Sequence, residues 1–123
     1  MILADTSVWI DHLRDKNSLL ISLLEANRIV LHPMIIGELA CGNLRNRKEV
    51  LTLLQQLPSI NNASHEEVLY GIEQHGWMGK GIGWVDTHLL ASVLLTPNTT
   101  LWSQDRRLNN LAQSVGTAFD PKI

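Results

Sequence analysis

Cysteine is almost absent from this chain. Cys41 stands alone, so no internal disulfide can brace the fold. That pattern fits a reducing compartment. Long apolar runs are missing too: none approaches the roughly 20 residues that cross a bilayer, and no cationic leader precedes an apolar stretch at the N-terminus. Both absences predict a cytoplasmic protein with no membrane association. Internal repeats and low-complexity tracts are also lacking. Positive charge is not in excess, with 10 Lys and Arg against 12 Asp and Glu and a formal net charge of −2. This argues against a protein that grips nucleic acid through a broad basic surface, but leaves room for a local basic rim. What remains is a 123-residue chain, 45% hydrophobic and 18% charged, the profile of one globular domain over residues 1–123.

Residues 2–5 read as a short buried strand, and Ser7 is placed to cap a helix running to about Leu13. Leu19, Leu20, Leu23 and Leu24 recur at helical spacing, predicting a helix over 17–26. Ile29-Val30-Leu31 reads as a second strand. Pro33 suits the first position of a helix that carries Glu38 and stops near Gly42. Val50, Leu51, Leu53, Leu54 and Leu57 mark a helix over 50–57, and a short strand is expected near 59–61. Ser64 and Glu67 form a capping box that opens a helix to His75, with Gly76 as its stop. Gly79, Gly81 and Gly83 make 77–83 a mobile loop. A helix over 84–95, a strand over 99–102, a helix over 105–114 and an edge strand over 117–119 complete the chain. Short apolar strands alternating with helices predict an α/β fold, with helices covering a central, mostly parallel sheet of four to five strands.

Four acids interrupt apolar surroundings. Asp5 ends Ile2-Leu3-Ala4. Glu38 lies in Met34-Ile35-Ile36-Gly37-Glu38-Leu39-Ala40. Asp86 precedes Leu89 and Leu90 at i+3 and i+4, and Asp105 follows Leu101-Trp102-Ser103-Gln104. Burial is expensive for an ionised carboxylate without a partner. Few cations lie near enough in sequence to serve all four, and a shared divalent ion is the simplest partner. In parallel sheets, ligands bind beyond the carboxyl ends of the strands. Asp5 and Asp105 are expected at two such ends, with Glu38 and Asp86 facing the same rim from the first turns of their helices. Taken singly, each acid also reads as a helix cap or dipole partner. An all-oxygen set selects Mg²⁺ or Mn²⁺, one ion or two, and disfavours zinc or copper. The chemistry such a centre suits is phosphodiester hydrolysis with water as the nucleophile.

Asp5-Thr6-Ser7, Gly37-Glu38-Leu39, the Asp86-x-x-Leu89-Leu90-Ala91 helix and Ser103-x-Asp105-x-x-Leu108 occur in this order along nearly the whole chain. The pattern resembles the PIN domain, and in particular the VapC-type toxins of toxin–antitoxin pairs. The resemblance implies a PIN-like α/β/α sandwich and a Mg²⁺- or Mn²⁺-dependent endoribonuclease. It also implies a homodimer, neutralised by a cognate antitoxin that alone reaches operator DNA. Asp5, Glu38, Asp86 and Asp105 match the family's catalytic, metal-site acids. Ser7 matches a supporting hydroxyl beside the first acid. Ser103 is a second such hydroxyl, standing where the family more often has threonine.

Arg106, Arg107 and Lys80 are candidate contacts for RNA or antitoxin, set against a plain solvated surface. Arg45, Arg47 and Lys48 read as solvated. Trp9, Trp84 and Trp102 are expected in the core, and Trp77 in packing ahead of base stacking. His12, His32, His65, His75 and His88 show no metal-ligand spacing and are read as structural or surface. Cys41 is read as a packing residue. The main rival is a non-catalytic PIN-like regulatory subunit of a DNA-binding toxin–antitoxin complex. A phosphoacceptor domain is disfavoured because Ala4, not a second acid, precedes Asp5. A structure-specific DNA nuclease is disfavoured by the chain's length.

Overall fold

The computed structural model describes residues 1–122. Ile123, the end of the expected single domain, lies outside the described residues. The chain runs β1 (Ile2–Ala4), α1 (Thr6–Asp15), α2 (Ser18–Glu25), β2 (Ile29–Val30), α3 (Pro33–Ala40) and α4 (Arg47–Gln56). It continues through α5 (His65–His75), α6 (Trp84–Leu95), β3 (Thr100–Trp102) and α7 (Arg106–Ser114).

The three strands form a parallel sheet in the order β2-β1-β3. Ile2 and Leu3 pair with Ile29 and Val30 on one side, and Ile2, Leu3 and Ala4 pair with Thr100, Leu101 and Trp102 on the other. Two single parallel bridges, Leu31 to Ser59 and Leu101 to Ala118, extend the sheet at its edges. They fall where edge strands over 59–61 and 117–119 were expected. Each is too short to be regular because only one residue pair closes the ladder on either side. All three strands are buried almost without break, as a parallel sheet covered by helices requires.

The core forms where the apolar spacing places it. Ile2, Leu3, Leu20, Ile29, Leu31, Ile35, Leu89, Leu90, Leu101 and Leu108 are all buried. Helix α6 is sequestered from Thr87 to Val93 and packs on β3 and α5. Of the tryptophans, Trp77 packs as expected and Trp84 does not. Trp77 is in the core at 2% exposure, lying on Gly71, while Trp84 is 41% exposed at the first turn of α6. Cys41 is exposed and does not pack. No helix among the described residues is long and apolar enough to cross a membrane.

The helix starts explain several boundary shifts. Helix α1 begins at Thr6, capped by the Asp5 carboxylate accepting the Val8 N–H, so the expected Ser7 cap is displaced by the residue two before it. Helix α4 begins at Arg47, behind Asn46 in the left-handed conformation (φ 51°). Helix α5 carries the expected capping box between Ser64 and Glu67, and Gly76 ends it at φ 68°.

Helix α3 has an unusual cap. The imidazole Nδ1 of His32 accepts the Met34 N–H at 3.0 Å, and Pro33 fills the first position. Accepting there leaves the proton on Nε2, which is buried without a partner. Burial first, and the nearby His88 second, push the His32 pKa down to about 4. A group lowered from 6.5 to about 4 binds protons more readily in the unfolded chain. Stability is therefore lost as pH falls through that window. His32→Asn keeps a capping oxygen and removes the titration. Its unfolding free energy, followed by urea denaturation, should fall less than that of the wild type between pH 6.5 and 4.

Candidate functional site

Asp5 follows the central strand directly, and its N–H extends the ladder to the Trp102 carbonyl at 2.9 Å. Ser103 and Asp105 follow β3, the neighbouring strand. The chain leaves β1 toward β2 on one side and returns through β3 on the other. The crevice between β1 and β3 is thus the switch point where parallel sheets bind ligands.

Two hydroxyls stitch these strand ends together. Ser7 donates to Asp5 Oδ1 and accepts the Gln104 N–H. Ser103 donates to Asp5 Oδ2 and accepts the Asp105 N–H at 3.0 Å. Both carboxylate oxygens of Asp5 are therefore fixed by neutral donors. Thr6, next in sequence, donates its hydroxyl to Glu38 Oε1 at 2.6 Å. Asp105 caps α7, with Oδ1 accepting the N–H groups of Arg107 and Leu108 at 2.9 and 3.1 Å.

The four acids are not equally buried. Asp5 is 4% exposed and Asp86 is half-buried, whereas Glu38 and Asp105 are exposed. The expectation that all four are buried is corrected here. Glu38 is the sixth residue of α3, past the first turn in which it was expected, and emerges from an otherwise apolar helix. Asp105 precedes α7 as its cap and projects to solvent. The cluster thus has one sequestered member at its base and a wet rim.

Asp86 ties the group together electrostatically. Its pKa is raised by burial first, then by the charges of Asp5, Asp105 and Glu38, while a bond from the Gly83 backbone works the other way. The Asp5 pKa is also raised by burial, against the opposing hydrogen bonds from Ser103 and Ser7. Each hydrogen bond that reaches the four acids among the described residues comes from a hydroxyl or a backbone N–H. An anionic, all-oxygen cluster of this kind suits a hard divalent cation. Among the described residues no three His, Cys, Asp or Glu side chains are close enough to grip one ion.

The expected cations take different places. Arg106, Arg107 and Lys80 are exposed, but the Arg107 guanidinium donates to the Gly81 carbonyl at 3.3 Å, so it lies on the glycine loop. Two features escaped the sequence reading. Thr6 supports Glu38, for which its place beside Asp5 was the available signal. His32, His65 and His88 cluster with Trp84, with ring centroids 4.6 to 6.3 Å apart. Their separations along the chain offered no hint of this.

The raised Asp86 pKa has a consequence for stability. Above it, the folded state carries an ionised carboxylate that burial and three neighbours disfavour. Falling pH protonates Asp86 in the folded state first and removes that cost. Asp86→Asn should therefore melt at a higher temperature than the wild type at pH 7 in EDTA, with the gain shrinking as pH approaches 3.8. Calorimetric melting across that range checks it.

Comparison with known proteins agrees with this geometry. The family model for the PIN domain matches residues 2–113. Ribonuclease VapC32 of Mycobacterium tuberculosis, from strains CDC 1551 / Oshkosh and ATCC 25618 / H37Rv, is 40% identical over 123 residues, spanning 100% of this chain and 99% of the relative. With a parallel sheet, acids at its switch point and similarity along its full length, this chain belongs to the PIN-domain family, among its VapC-type members.

Proposed function

We propose that the chain is an endoribonuclease toxin that hydrolyses RNA phosphodiester bonds with Mg²⁺ or Mn²⁺ and is neutralised by a cognate antitoxin. The observation that carries this reading is the gathering of Asp5 at the end of β1, Asp105 after β3, Glu38 on α3 and Asp86 on α6, close enough that the other three charges add to burial in raising the Asp86 pKa. The relative named a ribonuclease supports the choice of RNA. On this reading the protein acts in the cytoplasm as a homodimer, and operator DNA is reached only through the antitoxin.

Asp5, Glu38, Asp86 and Asp105 would hold the divalent ion. When bound, it would acidify a water and stabilise charge on the phosphoryl oxygen. The protein's own contributions are more specific. Ser7 and Ser103 stop the Asp5 carboxylate from rotating, so its remaining lone pairs point in set directions. Thr6 does the same for one oxygen of Glu38. Asp105 spends Oδ1 on capping α7 and keeps Oδ2 for the site. Burial first, then the charges of Asp5, Asp105 and Glu38, raise the Asp86 pKa, so ionising it would gate the site on the acid side. Exposed Arg106 and Lys80 supply positive charge near the wet rim, where an RNA backbone would lie.

The direct test is cleavage of a panel of structured RNAs by antitoxin-free protein in Mg²⁺, in Mn²⁺ and in EDTA. Cleavage should require the metal. Asp5→Asn should lose at least about 100-fold in rate, the upper end of what loss of an outer-shell partner costs, while keeping the wild-type circular dichroism. Ser103→Ala, which loosens Asp5 without removing it, should lose about 10- to 100-fold. Undiminished cutting by Asp5→Asn would refute its assignment. Failure to cut any RNA, with no thermal shift on adding metal, would favour a non-catalytic regulatory subunit.

A further inference from the structure

Helix α6 delivers Asp86 to the site, and the loop that precedes it packs Ile82 against the core but is otherwise held at few points. Between Trp77 and Gly83 the chain has no regular structure. Gly79 and Gly81 hold positive φ, at 67° and 81°, and Met78 is 51% exposed. Among the described residues, one side-chain hydrogen bond reaches residues 78–82, from Arg107 Nη1 to the Gly81 carbonyl at 3.3 Å.

The contact is closer than that bond alone suggests. A Cβ at Gly81 would lie 2.8 Å from Arg107 Cδ and 3.2 Å from both Nε and Nη1. The stem and guanidinium of Arg107 thus lie flat on the bare face of this glycine. At Gly79 and Gly83 a Cβ would meet nothing within 4 Å. Gly81 is therefore singled out twice, by its left-handed backbone and by the side chain laid across it. The same arginine donates its backbone N–H to Asp105 at 2.9 Å. One residue consequently holds Asp105 with its main chain and the loop ahead of Asp86 with its side chain.

We infer that Arg107 is a positioning residue, whose clasp on Gly81 holds the glycine loop against α7 and sets Asp86 relative to Asp105. Its effect on catalysis rests on the nuclease reading above; its effect on the loop does not. The sequence alone offers Arg107 as a contact for RNA phosphate or antitoxin, or as plain solvated surface, and a phosphate contact and a clasp predict different behaviour. A phosphate contact acts on substrate affinity and is indifferent to Gly81. A clasp acts through the loop and depends on Gly81.

The test uses the full chain with Arg107→Ala, Gly81→Ala and the double variant. Amide hydrogen exchange is measured first, on protein without RNA or added metal. Arg107→Ala should speed exchange of the Thr87 amide, which bonds the Gly83 carbonyl at 3.1 Å where the loop meets α6, by about 2- to 10-fold, the worth of one exposed hydrogen bond, with β1 and the rest of α6 still protected. RNA cleavage should then show a lower kcat with KM nearly unchanged. The double variant should be no worse than Gly81→Ala alone, because Gly81→Ala, which also strains the backbone at φ 81°, already breaks the contact that Arg107→Ala removes. Unchanged exchange of the Thr87 amide in Arg107→Ala would overturn the inference, as would a loss confined to KM and additive with Gly81→Ala. The exchange result decides the clasp even if the wild type cuts no RNA.

Discussion

The structure is organised around the cost of gathering like charges at the end of its central strand. Asp5 is buried there with both oxygens committed to hydroxyls, and its charge is felt at Asp86. A fold built for stability alone would place no acid in that position, since desolvation and repulsion both oppose it. The hydroxyls of Thr6, Ser7 and Ser103 answer this cost locally. They satisfy the carboxylates without neutralising them, which preserves the negative field that a cation needs.

Helix termini provide the second answer. Asp5 caps α1 and Asp105 caps α7, while Asp86 lies in the first turn of α6 and accepts a bond from the Gly83 backbone. Each of these three helix N-termini therefore has a carboxylate of the cluster at its positive end, where carboxylates are favoured. Capping and metal binding are not competing explanations for these acids. Under the proposed function, capping would set the side-chain orientation that a shared metal site requires. Glu38 is the exception. It sits beyond the first turn of α3 and depends on the Thr6 hydroxyl instead.

Much of this was legible in the sequence because the governing signals are local. The apolar runs at Ile2, Ile29 and Leu101 mark the strands, and the Ser64–Glu67 pair marks its helix start. Asp86 shares a helical face with Leu89 and Leu90, and both are buried as that spacing implies. The misreadings came from quantities that local spacing does not carry. Burial of Glu38 and Asp105 depends on where the neighbouring helices stop, so apolar flanks overstated it. The choice of Asp5 over Ser7 as the cap turns on where the strand lets go of the chain. Trp84, expected in the core, stands instead at an open helix start, while Trp77 packs on Gly71 as expected. The Arg107–Gly81 clasp joins residues 26 positions apart, with no periodicity linking them.

Anomalous diffraction from a manganese-soaked crystal tests most directly whether the four acids form one site. The expected result is a strong peak bounded by Asp5, Asp86 and Asp105, with Glu38 at its edge, and its loss in Asp5→Asn. Crystals that bind manganese only at sites remote from Asp5, or a peak that persists undiminished in Asp5→Asn, would contradict the assignment of these carboxylates to a common metal centre.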